Sequence, residues 1–494
     1  MSLPIELANA RDEIRGIAKQ LGLDFFETVY EVVSGDEMNE VAAYGGFPVR
    51  YPHWRFGMEY ERLHKSHAYG LSKIYELVIN NNPCIAYLQE SNEMVDQKLV
   101  MAHVYGHCDF FKNNIYFAHT NRRMVDAMAN HAAVVRRHMD RIGQERVEAF
   151  VDLALSLENL IDPQRVFLDQ RPPAPGPAEE EAEEPQVQRI RAKEYLESFV
   201  NPPEFIAQQK KKLAEEKERR RRFPERPERD ILLFLLYYAP LERWQQDIIE
   251  IVRNESYYFL PQMQTKVMNE GWASYWHSRI MTEHVLEDSE VVDYADHCAG
   301  VFSMPPGQFN PYKVGLELWR DIERRWDRGQ FGKEWEECDD YETRLHWNTE
   351  AQKGREKLFE VRRLYNDVTF IDTFLTPDFC DRAQLFVYKW NERTRRLEIS
   401  DREFRHIKEQ LLFSLTNAGQ PIIRVEDGNF DNRGELLLIH DFQGVELDVN
   451  YARDTLRNLA LIWNRPCHIR TQLGEKEKLF THDGTDFREK VLDR

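Results

Sequence analysis

The chain has 494 residues, 42% of them hydrophobic and 12% aromatic, enough for a large core spread over two or three domains. A formal net charge of −19 argues against wholesale binding to nucleic acid or to an anionic membrane, both of which need basic surface. The six cysteines are scattered without a CxxC pair, which excludes a disulfide framework or a familiar cysteine-type zinc site, and the longest apolar run, Ile231 to Leu236, is far too short to span a bilayer.

The N-terminal residues lack a basic-then-apolar signal architecture, so a cytoplasmic protein is expected. From Glu6 to about Asp162 the pattern is mostly helical, with Ile14, Ala18, Leu21 and Phe25 recurring as one face of an amphipathic helix. Between Ala43 and Gly57, Pro and Gly forbid a long regular helix, and the many aromatics there predict a loop that packs down as a wall. Glu90 follows the apolar run Cys84 to Leu88 and is expected to point inward. Arg171 to Glu184 reads as a Pro-rich, then acidic, disordered linker. Lys210 to Arg222 reads as a solvated mixed-charge helix, and together they form a charged insertion over about 171–228.

Helical spacing returns from Asp230 to Glu283, an irregular stretch runs from Ser303 to Tyr312, and a Trp- and Arg-rich helix spans Gly315 to about Arg328. After about Tyr365 the periodicity changes. Leu385–Trp390 and Leu397–Ile399 read as a hairpin, followed by a helix from about Asp401 to Thr416. A strand at Pro421–Val425, a turn at Asp427-Gly428-Asn429, a strand at Glu435–His440, a helix at Asp448–Trp463 and an extended Cys467–Thr471 complete the pattern. The expected architecture is a mainly α N-terminal domain over 1–365, carrying a metalloprotease-like helix pair, and a small α/β C-terminal domain over 366–494.

Two short stretches carry the chemistry. In His103-Val104-Tyr105-Gly106-His107 the histidines stand at i and i+4, the spacing that lets both imidazoles reach one metal ion from one helix face. Asn269-Glu270-Gly271-Trp272-Ala273-Ser274-Tyr275 resembles the helix of gluzincin aminopeptidases whose Glu is the third zinc ligand. In those enzymes the first stretch is His-Glu-x-x-His, with the Glu as general base; here that position is Val104. Glu90 is the carboxylate expected to stand in for it, and Asp109 is expected to point away. His277, two turns after Glu270 on the same face, is read either as a further ligand or as a partner of one.

The segments His103 to Asn114 and Met268 to His277, with Tyr44-Gly45-Gly46-Phe47-Pro48 and Pro306 to Lys313, strongly resemble the SpoVR family over nearly the whole chain. In spore formers the resemblance implies a link to the peptidoglycan cortex of the spore. In bacteria that do not sporulate it implies a stress or starvation role beside a PrkA-like serine protein kinase and a von Willebrand-type-domain protein. It brings no reaction with it. Two readings therefore stand. One is a hydrolase of peptide or peptidoglycan-fragment amides, with zinc or another divalent metal on His103, His107 and Glu270 and Glu90 as base. The other is a regulator that docks with the kinase and holds its metal without cleaving anything. A di-metal site that adds Glu90, Glu93 and His277 is a third, disfavoured because neither region carries a Glu-x-x-His motif. Nucleotide binding and a serine nucleophile have no local signature, and Cys108 is read as interior packing.

Overall fold

A computed structural model describes residues 3–68, 76–168 and 223–492, together with positions 202, 207, 208 and 211. The linker expected at 171–184 and, apart from Lys211, the mixed-charge helix at 210–222 lie outside the described residues. The rest is mainly helical, with a smaller mixed α/β region at the C-terminal end. Among the described residues no helix is long and apolar enough to cross a membrane.

The chain forms two compact units. The first comprises 1–143 and 257–419, the second 144–256 and 420–494. The boundary expected at 365/366 is therefore not where the units divide. Residues 366–419 stay with the first because Phe370, Ile371, Phe374 and Phe379 are buried in the same core as Trp272 and Trp319. The described residues of 144–256 belong with the C-terminal sheet.

In the first unit a helix at Ile5–Gln20 buries Ile14 and Ala18, and β1 (Thr28–Val33) follows. The expected loop after Ala43 is shorter than its Pro and Gly content suggested, because a helix already begins at Trp54; Phe47 and Tyr51 within it are buried, as a wall requires. Strands β2 (Leu77–Ile79) and β3 (Cys84–Gln89) complete a small sheet in the order β1-β3-β2. The β1/β3 pair is parallel and the β2/β3 pair antiparallel, with Leu77 opposite Tyr87. From the end of β3 a short turn leads into helix Met94–Asn113.

That helix is buried almost all round from Val95 to Phe111, and so is helix Lys266–Ile280. Helices apolar on every face sit in the interior rather than at the surface. They approach closely because small residues line the contact. A Cβ on Gly106 would stand 2.6 Å from the Cα of Ala273, and one on Gly271 would collide with the backbone of Gly315 in helix Pro311–Asp327. Around this three-helix junction Trp272 stacks edge-on against Trp276, Trp319 and Phe359, and Trp319 donates its Nε1 hydrogen to the carbonyl of Met268 at 3.0 Å. The N-terminus of helix Lys266–Ile280 has no cap from its own Thr265. Asp367 supplies it, accepting from the backbone N–H of Val267 and Met268 at 2.8 and 2.9 Å. The hairpin β4 (Val387–Asn391) and β5 (Arg396–Asp401) pairs as its alternation predicts.

In the second unit, β6 (Ile423–Phe430), β7 (Glu435–His440), β8 (Cys467–Leu473), β9 (Lys476–His482) and β10 (Phe487–Val491) form one mixed sheet in the order β10-β9-β8-β7-β6. β7 and β8 are parallel, joined through helix Val449–Trp463, which Asp448 caps. The turn expected at Asp427–Asn429 is instead part of β6. Gly428 is there for close packing, since a Cβ on it would press against the rings of Phe223 and Phe234. The chain reverses later, through Asp431 and Asn432, both with positive φ, and Gly434.

Candidate metal centre

Helix Met94–Asn113 carries His103 and His107 one turn apart, their ring centroids separated by 4.6 Å. Helix Lys266–Ile280 crosses them at the Gly106–Ala273 contact and brings Glu270 to the same point. A fourth side chain arrives from the segment just before β2. Glu76 Oε1 lies 3.1 Å from His103 Nε2 and 3.8 Å from His107 Nε2, while Glu270 Oε2 lies 3.7 and 3.5 Å from the same two nitrogens. One donor atom from each of the four falls within 4.8 Å of the others.

These separations would also suit donors around a single ion. Tetrahedral coordination with bonds of about 2.0–2.1 Å places its donors about 3.3 Å apart. The chemistry agrees: two imidazoles and a carboxylate suit zinc or another borderline divalent cation, and a second carboxylate stands beside them. His103 Nε2 and Glu270 Oε2 are both buried without a well-directed hydrogen bond, so the short-range attraction between imidazole and carboxylates, or a cation shared among them, has to offset their burial.

The outer ring nitrogens are engaged. His107 Nδ1 lies 2.9 Å from Asn269 Oδ1, so His107 donates there and leaves Nε2 bare toward the cluster. His103 Nδ1 lies 2.8 Å from His277 Nδ1. Burial and the neighbouring His103 push His277 well below the usual histidine range, which keeps it neutral and able to accept from His103 Nδ1–H. Burial pulls His103 down, but the charge of Glu76 together with Glu270 outweighs it and lifts the imidazole to about 9. Burial also works against an ionised Glu76, yet the two histidines hold its carboxyl well below the ordinary range. Without a cation the cluster is thus a histidinium held between carboxylates; with one, the cation takes the proton's place.

The structure brings His103, His107 and Glu270 together. It places His277 behind His103 rather than in the cluster. Asp109 points away, accepting from Trp272 Nε1 at 2.9 Å and pairing with Arg362 at 3.1 Å. The inward orientation expected of Glu90 needs correction. β3 ends at Gln89, the chain turns, and Glu90 stands exposed, as does Glu93 at the start of the helix. Neither is among the four residues of the cluster.

Glu76 was not anticipated from the sequence. It has no motif and only the short apolar run Leu77–Ile79 beside it. Yet the antiparallel β2/β3 register, with Leu77 opposite Tyr87, puts Glu76 at the same end of the sheet as Glu90. Glu76 therefore reaches the cluster from the segment just before β2, at the end of the sheet where Glu90 also lies. Val104 itself is fully buried in the core, so the position of the zincin base is filled by packing.

A family model described as SpoVR like protein matches residues 3–420, ending one residue beyond the first unit. The uncharacterized protein YcgB of Escherichia coli (strain K12) is 34% identical over 461 residues, covering 86% of this chain and 83% of that relative. No solved structure matches the chain.

Proposed function

The chain belongs to the SpoVR-like family, and from that premise we propose that it is a divalent-metal-dependent hydrolase of amide bonds in peptides or peptidoglycan fragments. The observation that carries this reading is the convergence of His103, His107, Glu270 and Glu76 with unsatisfied buried donor atoms. A divalent cation held there would supply Lewis acidity and a water activated near neutral pH. His103, His107 and Glu270 would hold it, the first two oriented by His277 and Asn269. Glu76, from a separate segment, is the base that Val104 does not provide. It takes the proton as the water oxygen bonds to the carbonyl carbon, and returns it to the amine nitrogen as the C–N bond breaks.

The setting is the one the family resemblance implies: cortex peptidoglycan in spore formers, or a cytoplasmic starvation response beside a PrkA-like kinase and a von Willebrand-type-domain protein. The burial of Val104 favours a second reading, in which the same cation holds a regulatory surface for that kinase and nothing is cleaved. The deciding experiment is metal analysis by mass spectrometry on protein purified without chelators or affinity metals. Wild type and Glu76→Gln should carry one equivalent and Glu270→Ala none. Full metal in Glu270→Ala ends the ligand assignment. Amide hydrolysis by the loaded wild type, lost in Glu76→Gln, separates the enzyme from the regulator.

A further inference from the structure

Near its C-terminal end, helix Pro311–Asp327 gathers three guanidiniums around one carboxylate. The side chain of Asp321 is only 2% exposed, yet three arginines reach it. Arg324 and Arg382 both donate through Nη2 to its Oδ1. Arg325 Nε lies 2.7 Å from its Oδ2, too poorly directed for a hydrogen bond. Arg324 and Arg325 come from the helix itself, one turn after Asp321. Arg382 comes from a separate short helix, Pro377–Ala383, where its guanidinium lies 5.8 Å from the ring centroid of the buried Phe379.

Packing accounts for one of the three. Arg325 is largely buried and donates Nη2 to the carbonyl of Phe374 at 2.8 Å, tying this helix to helix Asp367–Phe374. A cation there also suits the C-terminal end of the helix dipole. Arg324 and Arg382 differ from it. Their side chains are 47% and 48% exposed, and the partner they share is a single carboxylate oxygen. Among the described residues no second carboxylate pairs with any of the three. Glu323 pairs instead with Arg279 at 3.2 Å, and Asp327 accepts from the backbone of Gly354 at 2.7 Å. Asp378 and Asp381, on the short helix, stand exposed.

Three positive charges against one negative leave an excess of two, in a chain whose net charge is −19. Burial and the charges of Arg324 and Arg382 pull Arg325 below its ordinary range against the attraction of Asp321, so the carboxylate does not cancel the crowding. A guanidinium is a planar fork of five N–H donors. Each exposed fork spends Nη2 on Asp321 and keeps Nε and Nη1 for another acceptor. Anchored to one oxygen, the two forks stand side by side. A tetrahedral oxyanion with two negative charges matches the excess and has oxygens enough to accept from both.

We propose that Arg324 and Arg382, backed by the charge of Arg325, form a binding site for a tetrahedral dianion of the phosphate class. Nothing in this arrangement requires the metal centre to be catalytic.

Inorganic phosphate is the probe, titrated into the full chain by calorimetry at constant ionic strength. Wild type should bind it saturably. Arg382→Gln and Arg324→Gln should each weaken binding about tenfold, as loss of a charge-assisted hydrogen bond implies. Thermal unfolding without phosphate should show both variants folded. Arg382→Lys keeps the charge but not the fork, and its affinity should fall between the two. Arg320→Gln removes an exposed cation of the same helix that is already paired with Glu317 at 3.1 Å, and should change affinity by no more than about twofold. Absence of saturable binding to wild type overturns the site. So does undiminished affinity in Arg382→Gln and Arg324→Gln, which would put phosphate elsewhere, the metal centre included. An equal loss in Arg320→Gln overturns it as well, because general attraction to the helix would then suffice. O-phosphoserine added to the phosphate complex identifies the source. Displacement points to phosphate carried on an organic group, failure to displace points to the free ion, and both support the site.

Discussion

Both units of this molecule bury histidines, but in different company. In the C-terminal sheet, His468 has Thr481 Oγ1 at 2.8 Å on one ring nitrogen and Glu435 Oε2 at 2.7 Å on the other, and His440 pairs with Thr471 at 2.9 Å. Both nitrogens of His468 are satisfied, and the cross-strand register explains it, since His468 lies opposite Thr481. In the helical unit, His103 and His107 use one nitrogen each on an outer partner and turn the other toward two carboxylates. Burial does not make a histidine a ligand. Convergence with other donors, and atoms left without a hydrogen bond, is what separates a metal centre from a sheet interior.

Removing one histidine from each unit tests this contrast most strongly. His103→Ala should abolish stoichiometric metal, whereas His468→Ala should keep it and lower the unfolding free energy by about 1–3 kcal/mol, because Glu435 and Thr481 lose a buried partner. Metal analysis and urea titration of both variants give the answer, and metal lost equally from the two would erase the distinction. Next in size is the helix contact that assembles the centre. Gly271→Ala puts a methyl against the Gly315 backbone, and overpacking of this kind costs about 1–3 kcal/mol. Because the same contact aims Glu270, zinc affinity should fall along with stability. Gly444→Ala, a position with open space but φ of +92°, is the control that strains backbone without touching the centre.

How much of this was legible in the sequence follows from where each signal lies. His103, His107 and Glu270 are periodic features of two helices, and helical periodicity survives folding because it is local. The α/β character of the C-terminal region was legible for the same reason. Three things were not. Gly428 reads as a turn residue by composition, and only the rings of Phe223 and Phe234 reveal why a glycine stands in a strand. The unit boundary depends on which core Phe370 and Phe374 join, a tertiary choice. Glu76 depends on pairing between β2 and β3, and no spacing within its own segment encodes that register.

The two states of the helical centre should also respond oppositely to pH. His103 is raised from 6.5 to about 9 by Glu76 and Glu270. A raised histidine contributes stability that is fully present below its unfolded value and lost as pH rises through its folded one. Metal-free protein should therefore lose stability between about pH 6.5 and 9. Metal binding needs the same nitrogen without its proton, so zinc affinity should rise about tenfold per pH unit across that window. Thermal melts with and without one equivalent of zinc should show a gap that widens with pH; a constant gap would mean that His103 gives up no proton on binding.

The smallest expected effect sharpens the comparison between two carboxylates at one end of one sheet. Glu90→Gln alters an exposed residue in the turn after β3, where substitutions rarely exceed about 0.5 kcal/mol, and it should leave metal content and stability as they are. Glu76→Gln keeps nearly the same shape but removes the charge that does most to raise His103. In that variant the metal-free pH dependence described above should shrink, since the histidinium loses its nearest counter-charge. The informative quantity is the difference between the two substitutions, measured as stability against pH in metal-free protein. If Glu90→Gln flattens that profile as much as Glu76→Gln does, the turn after β3 reaches the centre, and Glu90 rather than Glu76 answers for the carboxylate missing at Val104.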